Sequence, residues 1–261
     1  FKSGNVYRGI NRLVLGLESY SKGYASSRWI TYKQAQEIGL QVRKGEKSTP
    51  IVFFKNLERV NEKTPDTVDS FFFATHYAAF NLSQCEGSES LIALEVEARE
   101  NAPKLSDAEK MENAEKFMAN TGAAIDHSHN AAAFYRPLTD RIHLPLFSTF
   151  KNGAGYYATA FHELGHWTGH ESRLKRDQKN VFGSKKYAFE ELVAELTSAF
   201  LCADHGLSYE TSHPAYIKGW LSTLASDVRE IPKAAAMAER ACRLMRDLQP
   251  GAKVEADSEA A

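Results

Sequence analysis

Apolar positions along this chain recur with two different periods, and the switches between them mark its elements. From Ile10 to Leu17 the spacing is helical, and the run ends near Gly23. Thr31 stands where an N-cap would open a second helix over Tyr32–Ile38, stopped by Gly39. The charged turn Val42-Arg43-Lys44-Gly45-Glu46-Lys47 leads into Pro50–Phe54, whose β-branched and aromatic content predicts a strand. Phe71–Phe80 predicts a second aromatic strand, and the polar stretch Asn61–Asp69, with Pro65, a hairpin loop between the two. From Gln84 to Asn101 neither period holds. There Glu86–Ser90 reads as a loop and the acidic stretch to Glu100 as a linker.

The pattern restarts near Ala102–Leu105, which sets domains at 1–101 and 102–249, with a small polar tail over 250–261 expected to be disordered. Ser106 and Glu109 have capping-box spacing and open a helix to about Asn120. Two short strands are expected at Ala131–Tyr135 and Arg141–Leu144, joined by a turn at Pro137–Asp140. After Phe150 the spacing is helical through Leu248, broken at Ser172–Gly183, Gly206–Pro214 and Ile231-Pro232. No internal repeat appears. The fold class is therefore α+β: a small α/β domain, then a mainly helical domain with a small sheet.

Charge divides the chain as the pattern does. Residues 1–60 hold eleven Lys/Arg against four Asp/Glu, a balance of +7, which leaves −8 for the remainder of a chain whose net charge is −1. A basic first part points to an anionic partner such as nucleic acid. No apolar run is long enough to cross a bilayer, so no membrane partner is expected. Cys85, Cys202 and Cys242 form no spaced cluster and cannot all pair, which favours a reducing cytoplasm; Cys202 and Cys242 fall in apolar helical patterns and are expected in the core.

The chemistry concentrates at His162-Glu163-Leu164-Gly165-His166. On a helix, positions i and i+4 share a face, so both imidazoles can address one cation while Glu163, offset from them, serves as general base. Tyr156–Phe161 contains no helix breaker, and Gly169 sits where a glycine would end the helix. A second helical pattern from Tyr187 presents Glu191 and Glu195, also i,i+4, beside an apolar stripe. A carboxylate facing a core is costly unless paired or bound to metal. Glu191 thus completes a two-His, one-Glu set, and Glu195 can accept the other ring N–H of a ligand histidine. Glu190 is expected to point elsewhere. The competing reading is a chance motif on a surface helix, with both glutamates solvated and paired to Lys185 and Lys186.

In the basic part, Arg8, Arg12, Arg28, Lys33, Arg43, Lys44 and Lys47 offer charge for phosphates, and Tyr7, Trp29 and Tyr32 interleave as stacking platforms. Gly45 suits a turn that presents backbone N–H groups to an anion. The alternative makes Trp29 and Tyr32 core aromatics and the lysines a solvated face.

Several longer motifs then coincide. They are Tyr7-Arg8-Gly9-Ile10-Asn11, Arg28-Trp29-Ile30-Thr31-Tyr32-Lys33-Gln34-Ala35 and Gly39 through Lys47 in the first part. In the second they are Asp140–Pro145, His162–His170, Ser172-Arg173-Leu174 and Glu190–Leu196. Across nearly its whole length the chain resembles ArdC-type antirestriction proteins of conjugative plasmids. The resemblance implies an N-terminal domain that binds single-stranded DNA, followed by a zincin-like metallopeptidase domain. It draws Tyr7, Arg8, Asn11, Trp29, Tyr32, Arg43, Lys44 and Lys47 into the DNA-binding set. His162, His166 and Glu191 become ligands of one Zn²⁺ per chain, with Mn²⁺ the alternative ion, and Glu163 the catalytic base. Glu191–Glu195 resembles the Glu-x-x-Ala-Asp element of glutamate-ligated zincins, with Glu195 in place of the more usual Asp.

The same resemblance implies a protein that shields plasmid DNA entering a recipient bacterial cell. It would act in the cytoplasm, with a host protein or peptide as hydrolytic substrate. A pure single-stranded-DNA shield with a latent or structural metal is the main alternative. A metal-dependent nuclease fits less well, because phosphodiester cleavage favours carboxylate-rich two-metal sites. Tyr187, His170 and His143 are candidates for stabilising an oxyanion, and the strand Arg141–Leu144 for the sheet edge that receives an extended peptide.

Overall fold

The computed structural model describes residues 7–61, 64–130, 132–178, 184–209 and 230–252. Its contacts divide the chain into two units between Pro103 and Lys104. The tail expected to be disordered lies outside the described residues from position 253 onward, as do parts of the breaks expected at 172–183 and 206–214.

The first unit is built on alternation. Strands β1 (Trp29–Thr31), β3 (Thr49–Asn61) and β4 (Thr64–Asn81) form an antiparallel sheet in the order β1-β4-β3, and β2 (Gln41–Val42) pairs with β5 (Cys85–Glu86). Successive side chains on a strand point to opposite faces. Trp29, Ile51 and Ala79 accordingly join Leu15 of helix α1 (Gly9–Lys22) on one face. Ile30 goes to the other face with Leu82, Cys85 and Val42, and with Ala35 of α2 (Tyr32–Glu37). Thr31 opens α2 through a reciprocal capping box with Gln34. The side chain of Asn11 fastens α1 to the sheet, donating to the Val52 carbonyl at 2.7 Å and accepting from its N–H at 2.8 Å.

Two expectations fail here. The hairpin loop is much shorter than Asn61–Asp69, because a register shift at Val60/Asn61 lets β4 start at Thr64 and absorb Pro65. The expected acidic linker is helix α3 (Glu89–Asn101). It carries only a partly buried apolar edge, so its periodicity is weak. Tertiary contacts hold it instead: Glu95 accepts from the Ser26 hydroxyl and from the Ser27 N–H and hydroxyl.

The second unit opens with α4 (Asp107–Asn120), whose Ser106/Glu109 capping box forms as expected. A three-stranded sheet comes next in the order β6-β8-β7, from β6 (Ala124–Ser128), β7 (Phe134–Arg136) and β8 (Arg141–Pro145). Strand β6 has no clean alternation and is the strand the pattern missed. It pairs in parallel with β8, and β7 pairs antiparallel on the other side. Strand β8 is therefore central, and the idea that it is a peptide-receiving edge is withdrawn. Its backbone is paired on both sides, and Ile142 and Leu144 are fully buried on one face. Helix α5 (Gly153–Trp167) packs on β7 and β8, α6 (Lys185–Asp204) packs on α5, and α7 (Glu230–Asp247) packs on α6. Pro232 lies in the first turn of α7, where a missing N–H costs nothing, and the residues just before Glu230, needed to judge the break expected at Ile231-Pro232, lie outside the described residues. The architecture is α+β, and Cys85, Cys202 and Cys242 are buried thiols.

Candidate metal centre

Asn152 caps α5, its side chain accepting from the Gly155 N–H at 2.8 Å, and the helix then runs unbroken to Trp167. His162 and His166 lie one turn apart, with ring centroids separated by 4.9 Å. Helix α6, capped by Ser184, crosses α5 at Gly165. A Cβ at that position would stand 2.9 Å from the Ala194 Cα, so only glycine permits this approach. The close crossing carries Glu191 to both histidines: its Oε2 is 3.5 Å from His162 Nε2 and its Oε1 is 3.6 Å from His166 Nε2. One donor atom from each of His162, His166 and Glu191 fits within 4.8 Å of the others.

Behind each imidazole stands a carboxylate. His162 Nδ1 is 3.0 Å from Glu195 Oε2, and His166 Nδ1 is 3.2 Å from Glu190 Oε1. An ionised carboxylate only accepts, so each Nδ1 carries a proton, and Nε2 is the nitrogen whose lone pair would be free for an ion on the Glu191 side. Glu195 thus occupies the place its spacing suggested. Glu190 does not point away, and that expectation is corrected. The two ring nitrogens of His166 face different directions, and adjacent positions on α6, about 100° apart, meet one nitrogen each. Lys186 pairs with Asp177 at 2.9 Å rather than with either glutamate.

Glu163 is buried, with Oε2 lacking a hydrogen-bond partner among the described residues. The Tyr135 backbone N–H on β7 faces this carboxyl. Burial pushes the Glu163 carboxyl above its ordinary range, although the two histidines pull it the other way. Burial opposes charge on His162, yet its hydrogen bonds to Glu191 and Glu195 carry it up to about 10. Burial likewise opposes charge on Glu191, which is held below its ordinary range chiefly by His162, with the Tyr187 hydroxyl also donating to it. Two imidazoles amid four carboxylates make a site that favours positive charge. The donor set, the orphaned buried oxygen and the carboxylate-backed rings all fit a divalent metal ion.

Of the three residues considered for an oxyanion, Tyr187 is the one with a contact to this cluster. His170 Nδ1 bonds the Ser172 hydroxyl at 2.8 Å. His143 bonds Ser128 at 3.0 Å and stacks on Phe134, on the sheet face opposite Ile142 and Leu144.

In the first unit the expected DNA-binding residues separate into two groups. Trp29 is only 4% exposed and sits in the core with Tyr24 edge-on at 5.9 Å, so it presents no open ring face and its place as a platform is corrected. Asn11 is buried and occupied by Val52, which corrects its place too. Tyr7 is half-buried against the Trp29 cluster, and Arg8 is half-buried at the N-cap of α1. Arg43 forks onto Glu46 and reaches the Ser83 carbonyl. Lys44 and Lys47 are exposed on a turn made by Gly45 at φ +90°. Tyr32 is 44% exposed with its ring against Phe80. Tyr77, 49% exposed and edge-on to Phe53 at 5.0 Å, is an open aromatic that strand alternation alone did not single out.

Residues 1–101 match the family described as the N-terminal domain of anti-restriction factor ArdC, and residues 112–237 match a zincin-like metallopeptidase family. The crystal structure of the antirestriction protein ArdC from plasmid R388 in its metal-free form superposes with a TM-score of 0.74 at 40% identity, covering 94% of this chain and 86% of that one. The Mn(II)-bound form gives 0.75 at 38% identity, with coverages of 96% and 88%. A DNA primase, TraC of Escherichia coli, is 41% identical over 258 residues, which are 91% of this chain; the chain spans only 23% of that primase. The zincin-like fold and the Mn(II)-bound neighbour agree with the cluster on α5 and α6 in indicating a divalent metal.

Proposed function

The chain belongs to the family of ArdC antirestriction proteins, and from that premise we propose that it binds single-stranded DNA through its first unit and hydrolyses peptide bonds at a zinc site in its second. Its role is to protect plasmid DNA arriving in a recipient cell by conjugation. The observation that carries this reading is the arrangement at the α5–α6 crossing, where Glu191 stands opposite both Nε2 atoms and Glu163 keeps one buried oxygen unpartnered. The similarity to a TraC primase adds support, since a segment like this one occurs in a protein named for action on DNA.

His162, His166 and Glu191 would hold the ion, which when bound supplies Lewis acidity toward a carbonyl and a nucleophile at neutral pH. Every other contribution comes from the chain. The Tyr135 N–H faces the Glu163 carboxyl, whose Oε2 is the oxygen left to take a proton from the attacking water and pass it to the leaving amine. Tyr187, already on Glu191, is the best-placed donor for an oxyanion. With β8 central, β7 is the sheet edge beside Glu163 where a substrate backbone would lie. In the first unit, Lys44 and Lys47 supply charge for phosphates, and Tyr32 and Tyr77 supply faces for bases.

Incubation of the purified protein with casein and with DNA-bound proteins, with and without chelator, tests the catalytic half. Glu163→Gln should retain metal and lose hydrolysis, while His162→Ala should lose both; single-stranded-DNA binding should survive each change. Full peptidase activity in Glu163→Gln would remove the general-base assignment. Full protection of transfer into restricting recipients by Glu163→Gln would favour a shield whose metal only stabilises the fold.

A further inference from the structure

The segment after α5 contributes a buried cation to the back of the centre. Arg176 has a side chain only 6% exposed. Its Nε donates to Glu190 Oε2 and its Nη2 to Glu190 Oε1, both at 2.9 Å. Two further donors are used: Nη1 reaches the Thr168 hydroxyl at 2.9 Å, and Nη2 reaches the Gly165 carbonyl at 2.6 Å. Gln178 Nε2 adds a contact to Glu190 Oε1 at 3.2 Å and donates to the His166 carbonyl. The guanidinium is built in closely. A Cβ at Gly169 would fall 2.9 Å from Arg176 Nη2 and 2.6 Å from Gln178 Nε2.

A buried ion pair by itself says little about function, because desolvation can cancel its Coulombic gain. This one is distinguished by a third party. Glu190 Oε1, gripped by Arg176, is also the atom that faces His166 Nδ1. A guanidinium fork fixes both oxygens and therefore the plane of the carboxylate, which an ammonium cannot do. Glu190 is thereby kept from swinging toward the donor cluster as a competing ligand, and His166 is kept in the tautomer and orientation that aim Nε2 at Glu191.

We propose that Arg176 is a positioning residue for the metal centre, acting through Glu190 to orient His166. The proposal rests on the reading of His162, His166 and Glu191 as ligands, and its test separates the two. Metal-stripped wild type, Arg176→Met, Arg176→Lys, Glu190→Gln and the double variant are titrated with Zn²⁺ and with Mn²⁺ against a chromophoric chelator. Melting of each metal-free protein is followed in parallel. Loss of such an outer partner should weaken metal binding about 10–100-fold in Arg176→Met and in Glu190→Gln. Arg176→Lys should recover only part of the loss, and the double variant should be no weaker than the worse single, because both changes break one chain of contacts. Unchanged metal affinity in both singles, with a lower metal-free melting temperature, would make the clamp merely a loop anchor and overturn the proposal. Should Arg176→Met fail to fold, the near-isosteric Glu190→Gln decides the matter alone. If instead His166→Ala binds metal as tightly as wild type, the ligand reading itself falls.

Discussion

Single residues show most plainly where sequence and structure part. Trp29 and Tyr32 look alike in the sequence, two aromatics three apart in a basic stretch, yet one is core and the other open. Strand parity decides it: Trp29 alternates inward toward Leu15 and Ile51, whereas Tyr32 begins a short helix at the surface. The two substitutions should therefore separate. Trp29→Ala should cost about 3–5 kcal/mol of stability in denaturant unfolding. Tyr32→Ala should leave unfolding almost unchanged and weaken single-stranded-DNA binding by roughly 1–3 kcal/mol. A stable Trp29→Ala protein with lost DNA affinity would reverse this assignment. The cluster of His162, His166 and Glu191 was legible for a different reason. Helical spacing alone puts His162 and His166 on one face, and a carboxylate pair at i,i+4 on an apolar stripe needs an explanation. Glu190 and Arg176 were not legible, since what they do depends on a loop folding back onto α5, which no local period records.

At the scale of elements, the helices were read nearly to their ends wherever a cap or a glycine marked them, as at Thr31, Ser106 and Gly23. The failures were α3, whose apolar edge is too narrow to set a period, and β6, whose position is fixed only by pairing with β8. That β8 is central also lay beyond the sequence, because Ile142 and Leu144 alternate as they would on an edge. The crossing of α5 and α6 carries the sharpest expectation at this scale. Gly165→Ala adds one methyl group where the Ala194 backbone already touches, and should push the helices apart. Overpacking of this kind costs about 1–3 kcal/mol. Glu191 should retreat from the histidines, so metal affinity should fall together with stability. Loss of stability with metal affinity intact would mean that α6 yields elsewhere.

For the molecule as a whole, the proposed function assigns its two tasks to two units, and the sequence divides likewise in charge: +7 over residues 1–60 against −8 for the rest. DNA binding should accordingly weaken steeply with added salt, while metal binding in the other unit should not. A salt titration of both properties on one preparation would expose any shared surface. The crossing of α5 and α6 has one more consequence. His166 and Glu191 come from helices joined by a long connecting segment, so an ion held by both acts as a cross-link that closes a loop of about 25 residues. Such closures remove disorder from the unfolded chain worth on the order of 3 kcal/mol. The ion would then be a fastener as well as a reagent, and a chelated protein should open at this seam first, with protease nicking of the connecting segment as its signature.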